Sequence, residues 1–169
     1  MENSRVRPFD DKDLPGAVAA LVNVHATDGY PVEGVDRPEF WLRSPKVIAS
    51  WVAEADGKIV GHVAVMKPQG EDSASLWAKQ NGDGDGNVAV LARLFVIQEA
   101  RHQAFGRSLV NTAMRYARRG QLRLVLDVMA KDRSAIRLYE HLGWTKIGST
   151  THHYGENLHT DAMCYVAPI

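Results

Sequence analysis

The chain has 169 residues, 45% hydrophobic and 24% charged, with 20 basic and 20 acidic side chains and a formal net charge of zero. This predicts one soluble globular domain, 1–169, burying roughly two thirds of its unfolded surface, and excludes disordered, collagen-like and disulfide-stapled chains. Balanced charge supplies no global field toward nucleic acid or membrane, no run reaches 18 apolar residues, and one cysteine, Cys164, permits no internal disulfide.

Val6 to Phe9 reads as a first strand. Asp10 or Asp13 is placed to cap a helix from Leu14, with Pro15 in its first turn. Leu14, Ala17, Val18, Leu21 and Val24 form its apolar stripe, and Asp28-Gly29-Tyr30-Pro31 stops it. A second short helix, Glu39 to Leu42, follows Pro38. Val47 to Ala55 and Lys58 to Met66 are rich in β-formers, and Asp56-Gly57 between them suits a type I′ turn, so they pair as an antiparallel hairpin.

Residues 68–87 read as a polar loop. Asn81, Asp83, Asp85 and Gly86 match the first, third, fifth and sixth positions of a calcium loop, but Ala92 stands at the twelfth, where a bidentate glutamate belongs. A flexible connection without metal is therefore expected. Val88 to Ile97 is a strand. Gly106 to Arg119 is a helix, with Leu109, Val110, Ala113, Met114 and Ala117 on one stripe, Arg115, Arg118 and Arg119 on a solvated face, and Gly120 as its stop. Leu122 to Met129, apolar except for Arg123 and Asp127, suits a central strand. Ser134 to Leu142 is a helix closed by Gly143, and Trp144 to Thr151 and Met163 to Val166 are the last strands, with Cys164 as a packed thiol. The order β-α-α-β-β-β-α-β-α-β-β makes an α/β fold on a mixed sheet. The first residues carry no apolar signal core, and with a lone cysteine this points to the cytoplasm.

Chemistry concentrates between Leu94 and Ser108, a strand, a short loop and the start of a helix. Unpaired N–H groups and the positive end of the helix dipole make such a terminus an anion site. Small Ala104 and Gly106 permit close backbone approach, and Arg101 and Arg107 add charge. A plain strand-to-helix turn would carry the same small residues for packing alone. About 30 residues on comes Asp132-Arg133-Ser134-Ala135-Ile136-Arg137-Leu138-Tyr139-Glu140-His141-Leu142-Gly143-Trp144.

With both segments in register, the chain resembles the GNAT acetyltransferase superfamily over roughly residues 47–148. Arg101, Ala104 and Gly106 match its (Arg/Gln)-x-x-Gly-x-(Gly/Ala) loop, and the second segment matches Asn-x-x-Ala-(Ile)-x-Leu-Tyr-Glu-x-x-Gly-(Phe). Ala104 replaces the first loop glycine, His102 stands where another is common, and Asp132 replaces the asparagine. Alanine suits that place at negative φ. The resemblance implies a mixed, mostly antiparallel GNAT-type sheet with helices on both faces, and acetyl-CoA as donor.

Carried over, the cofactor-binding residues are Leu94, Phe95 and Val96 on the strand, Arg101, His102, Gln103, Ala104, Phe105, Gly106, Arg107 and Ser108 in the loop and helix start, and Asp132, Ser134, Ala135 and Tyr139 in the second signature. Tyr139 falls where the family has the acid that protonates the CoA thiolate. Many members carry a glutamate base on strand four, but Val88-Ala89-Val90-Leu91-Ala92-Arg93 offers no carboxylate. Asp28 and His62 are the leading replacements, with Glu33, His25 and Asp127 also open. A hydrogen-bonded structural role competes at His62. His152, His153 and His159, with Glu156 and Asp161, read as an acceptor-side hairpin through Tyr154-Gly155 rather than zinc ligands. Tyr30, Trp41, Trp51 and Trp77 are candidates for an acceptor cleft or for packing.

The resulting expectation is an N-acetyltransferase acting on a primary amine of a small molecule by direct attack in a ternary complex. The alternatives are a protein N-terminal or lysine acetyltransferase and a non-catalytic acyl-CoA-binding domain. A homodimer through the late strands is compatible with the pattern.

Overall fold

The computed structural model describes residues 4–31, 34–81, 87–153, 156 and 159–169, without the side chains of His152 and His153. Glu33, the Gly82–Gly86 segment and Tyr154-Gly155 lie outside the described residues. The elements are β1 (Ser4–Pro8), α1 (Leu14–Asp28), α2 (Pro38–Leu42), β2 (Val47–Ala55), β3 (Lys58–Met66), α3 (Asp72–Gln80), β4 (Val88–Val96), α4 (Phe105–Arg119), β5 (Arg123–Met129), α5 (Arg133–His141), β6 (Thr145–His153) and β7 (His159–Val166). The strands join in the order β1-β2-β3-β4-β5-β7-β6. The β1–β2, β2–β3, β5–β7 and β6–β7 ladders are antiparallel and β4–β5 is parallel, the mixed sheet expected. Two compact units divide the chain, Met1–Met66 with Ala92–Ala113, and Lys67–Leu91 with Met114–Ile169.

In the first unit, Asp56 (φ 52°) and Gly57 (φ 81°) close the β2–β3 hairpin with the two positive φ angles of a type I′ turn. The capping expectation is corrected in part: Asp10 caps a 3-10 turn, Asp11–Asp13, that precedes α1, and Asp13 stands at the N-cap of α1 without a side-chain capping bond to that helix. The Asp10 carboxylate accepts the Lys12 N–H at 3.1 Å, and the Asp13 carboxylate accepts the Asp10 N–H at 2.8 Å. Arg7 grips Asp13 with two bonds of 2.7 and 2.8 Å and Glu54 with one of 3.0 Å. Its guanidinium holds both carboxyls below their usual range. Ala17, Leu21 and Val24 bury the α1 stripe, which packs on β3, and Gly29 ends the helix at φ 72° by donating its N–H to His25 O.

In the second unit, Leu124, Val125 and Leu126 of β5 are buried, and β7 starts at His159, earlier than its apolar end suggested. Cys164 is fully buried, and burial, with the carboxylates of Asp127 and Asp72, pushes its thiol up to about 12. It is a packed thiol, as read.

The polar stretch 68–87 is not loop throughout, because it contains α3. The first-turn N–H groups of a helix need a partner, and the residue at its N-cap, Glu71, makes no side-chain cap. The cap comes from β5, where the Asp127 carboxylate accepts the Ser73 N–H at 3.1 Å, across 54 residues. Desolvation raises the Asp127 carboxyl against the pull of that hydrogen bond, with Asp72 and Glu71 raising it further. The other end of α3 is fixed too. Gln80 donates to Ile147 O at 2.9 Å, and Leu76 lies so close to Gly148 that a Cβ there would meet it at 2.7 Å.

Candidate active site

The expected chemistry falls partly in each unit. In the first unit it begins with β4. Arg93 adopts φ 60°, a left-handed conformation that breaks the strand's regularity two residues before Phe95. Its guanidinium donates to Trp41 O and lies 4.9 Å from the Trp41 ring centroid. Trp41 also meets the rings of Tyr30 at 6.0 Å and Phe95 at 6.2 Å. On β3, Gly61 leaves room for the strand that follows, since a Cβ there would stand 2.9 Å from Phe95 O.

His62 has no exposed surface. Its Nδ1 lies 2.8 Å from Arg93 O. A carbonyl only accepts, so Nδ1 carries the hydrogen and Nε2 is an unprotonated, buried acceptor without a partner among the described residues. The ring stacks on Phe95 at 5.4 Å and takes the edge of Phe9 at 5.9 Å. Burial pulls its pKa down to about 4, so the imidazole is neutral at physiological pH.

After β4, the chain passes through a short 3-10 turn, Gln98–Ala100, to the expected phosphate loop. Arg101 folds back onto its own strand, donating to Val96 O from Nε at 3.1 Å and from Nη2 at 3.0 Å, and pairs with Asp28 at the end of α1. The charge expected to face an anion is therefore spent on the loop itself, and the Asp28 carboxylate is engaged by it. His102 and Ala104 both take φ 67°. This corrects the negative φ expected at Ala104. The turn needs the left-handed conformation that glycine adopts freely, and two residues with side chains carry it instead. Phe105 is buried as an anchor, while His102, Gln103, Ala104, Arg107 and Ser108 are exposed. The first α4 hydrogen bond runs from Ser108 N–H to Ala104 O at 3.0 Å, so the N–H groups of Phe105, Gly106 and Arg107 precede the helical ladder.

In the second unit, the parallel β4–β5 ladder spans Val88–Val90 and Arg123–Val125, three of the nine residues of β4. Beyond β5, Asp132 takes the N-cap place of α5 without a side-chain capping bond, and its carbonyl accepts Ile136 N–H at 3.1 Å. Ser134 is exposed and Ala135 half-buried. Tyr139 is buried, 5% exposed, with its ring 5.6 Å from Trp144, whose backbone N–H donates to Tyr139 O at 3.0 Å. Of the other candidate bases, His25 is half-buried on α1 and Asp127 is the cap of α3. A cavity of about 460 Å³ in this unit is lined by Trp77, Met114, Leu122, Arg123 and Pro168. It lies at the start of β5, the end opposite Asp132. Trp77 belongs to that cavity, its ring under Arg123 at 5.0 Å. Among the described residues no group of three or more His, Cys, Asp or Glu side chains is arranged to hold a metal, and no helix is long and apolar enough to cross a membrane.

The structure joins Asp28 to Arg101 and His62 to Arg93 and Phe95, pairings the sequence spacing does not show. Arg93 escaped the sequence reading as a structural residue, its only signal being a lone charge in the run Val88–Val96.

Known proteins share the family and the fold. The model of the Acetyltransferase (GNAT) family matches residues 17–144, a stretch that runs through both units. The human protein N-acetyltransferase 8 is 33% identical over 101 residues, which is 59% of this chain and 40% of that protein. An Escherichia coli uncharacterized N-acetyltransferase, YjgM, is 28% identical over 132 residues, covering 77% of this chain and 71% of its own length. The chain thus spans about half or less of the human relatives. Among solved structures, Arabidopsis thaliana NAA60 in complex with acetyl-CoA superimposes with a TM-score of 0.73 at 20% identity, covering 99% of this chain and all of that one. A ribosomal-protein-alanine N-acetyltransferase from Brucella melitensis gives 0.73 at 17% identity over 98% of this chain and 99% of its own. The chain belongs to the acetyltransferase (GNAT) family.

Proposed function

We propose that residues 1–169 act as one catalytic domain that moves an acetyl group from acetyl-CoA to a primary amine of a small molecule in a ternary complex. The observation that carries the donor half is the loop at Arg101–Ala104. Two left-handed residues turn it directly into α4, aiming successive N–H groups and the positive helix end at solvent, the shape a pyrophosphate requires.

When bound, acetyl-CoA supplies an activated thioester. The N–H groups of Phe105, Gly106 and Arg107 bind its pyrophosphate, with exposed Arg107 adding charge and Gly106 admitting the anion closely. Arg101 acts from behind by fixing the loop to Val96 O. Leu94, Phe95 and Val96 orient the pantetheine and thioester, and one aligned N–H donor contributes about 3 kcal/mol at the developing oxyanion. By the family register, Asp132, Ser134 and Ala135 at the start of α5 are assigned to cofactor binding, and the Tyr139 hydroxyl to protonating the departing thiolate. With His62 buried and Asp28 engaged by Arg101, the acceptor amine enters largely by way of its neutral fraction, Asp28 taking the proton through water. The acceptor lies beside Tyr30 and Trp41, an aromatic pair at the end of α1 and in α2 that suits a compact amine. The buried free thiol of Cys164 fits a reducing, cytoplasmic setting.

A second acceptor class, a protein N-terminus, is favoured by one observation. Phe40 on α2 is 55% exposed and would offer an apolar contact to a peptide. Release of free thiol from acetyl-CoA, measured against a panel of small amines and of alanine-starting peptides, separates the two. Turnover confined to small amines and reduced at least 10-fold by Tyr139→Phe supports the proposal. Turnover confined to peptides transfers the acceptor assignment, and no turnover with any amine sinks the catalytic reading.

A further inference from the structure

β4 carries a conformation its residue type resists. A left-handed φ is unfavourable for a residue with a Cβ, and Arg93 takes it at 60° in the middle of a strand. Such a conformation persists only where the surroundings hold it. Two residues from other elements do so in the first unit. Trp41 of α2 receives the Arg93 guanidinium on its backbone carbonyl and over its ring. His62 of β3 takes the Arg93 carbonyl on Nδ1 at 2.8 Å, and its ring stacks on Phe95 at 5.4 Å. A buried polar ring is costly to keep, and this one leaves Nε2 without a partner among the described residues. An apolar residue at position 62 would remove that cost, so the Nδ1 bond to the strained carbonyl is the feature that recommends histidine.

We propose that His62 is a positioning residue: its Nδ1–H locks the left-handed turn at Arg93 and thereby orients the backbone of Phe95 and Val96 for acetyl transfer. The inference rests on the donor-site reading given above. His62 touches neither thioester nor amine and moves no proton. The Arg93 carbonyl and the Phe95 ring are its two points of attachment, one on each side of Leu94, so the segment between them cannot rotate freely. Without the lock, β4 relaxes toward ordinary extended φ at Arg93, and donors that must stand about 3 Å from the developing oxyanion are displaced from that position.

The test compares His62→Asn, whose amide N–H reaches the place of Nδ1, with His62→Leu, which keeps bulk and loses the donor. With an amine found by thiol release, His62→Leu is expected to lower kcat about 10-fold or more with the KM for acetyl-CoA within about threefold, and His62→Asn to keep kcat within about threefold. Deuterium exchange of the β4 peptide, read by mass spectrometry without any acceptor, should quicken in His62→Leu and not in His62→Asn. Wild-type kcat and exchange in His62→Leu overturn the proposal. So does a pH–kcat profile that loses its acidic limb in His62→Asn, since that marks His62 as the proton acceptor. If His62→Leu does not fold, His62→Gln replaces it. Its amide reaches toward Nε2 instead, so it should be impaired where His62→Asn is not, and equal behaviour of the two overturns the lock. A wild type that turns over no amine defeats the catalytic reading alone, and the exchange measurement still decides the lock.

Discussion

Ala104→Gly is expected to stabilise the protein, against the usual direction for a glycine substitution. Ala104 stands at φ 67°, where its Cβ crowds the following carbonyl at a cost of about 1–2 kcal/mol. Glycine removes that strain. It also gives the unfolded chain more freedom, which costs about 0.4–1 kcal/mol in the other direction. The residue is exposed, so little packing is lost. The net gain is about 0.5–1 kcal/mol, which at this chain length raises Tm by about 1–4 °C. Urea unfolding at fixed pH, checked by calorimetry, measures it. A loss near 1 kcal/mol, the ordinary penalty for glycine, would show that Ala104 is not left-handed and would refute the strained-loop account. The same loop should bind a pyrophosphate at least as well in the variant, because the Cβ beside the anion has gone.

Lowering the pH should destabilise the fold through His62. Its folded pKa of about 4 lies below the 6.5 of a free imidazole, so between those values the unfolded chain binds the proton and the native one does not. The contribution is complete above pH 6.5 and falls away toward pH 4. Wild type should lose roughly 3 kcal/mol more than His62→Asn across that window in urea titrations, and parallel curves would contradict the burial. Asp127→Ala should cost about 1 kcal/mol by uncapping α3, and Asp127→Asn less because its amide oxygen still accepts, with helix protection read by hydrogen exchange around Ser73. Arg101→Gln should weaken acetyl-CoA binding several-fold without contacting the anion, since it frees Val96 O and Asp28 together. Unchanged affinity by calorimetric titration would count against Arg101 as the brace of the loop.

Local chemistry made much of the architecture legible. Asp56-Gly57 announces the hairpin because few other dipeptides accept two positive φ angles cheaply, and Gly29 stops α1 for a related reason. The stripes of α1 and α4 repeat at helical spacing, and the two signature segments stand in register. What stayed hidden depends on partners far away in the chain. α3 lacks its own cap and borrows Asp127 from β5, so its polar, glycine-flanked stretch reads as loop. Left-handed φ at Arg93 leaves no trace without glycine to mark it, and at His102 and Ala104 only the family's glycine positions hint at it. His62 shows the limit at the site. Its residue type suggested proton transfer, whereas the Arg93 carbonyl and two aromatic rings that bury it come from other segments. Asp127, a candidate base as an isolated carboxylate, found its partner in a backbone N–H.

In the proposed mechanism every later step depends on the Arg101–Ser108 turn binding the pyrophosphate of acetyl-CoA. Titration of the intact protein with acetyl-CoA, CoA and desulfo-CoA, followed by thermal shift, tests it most directly. At 100 times Kd the bound state gains about 2.7 kcal/mol, a rise of several degrees in Tm, and Gly106→Val should abolish it while the unliganded protein still melts cooperatively. No shift at millimolar acetyl-CoA, or an equal shift in Gly106→Val, would contradict the account.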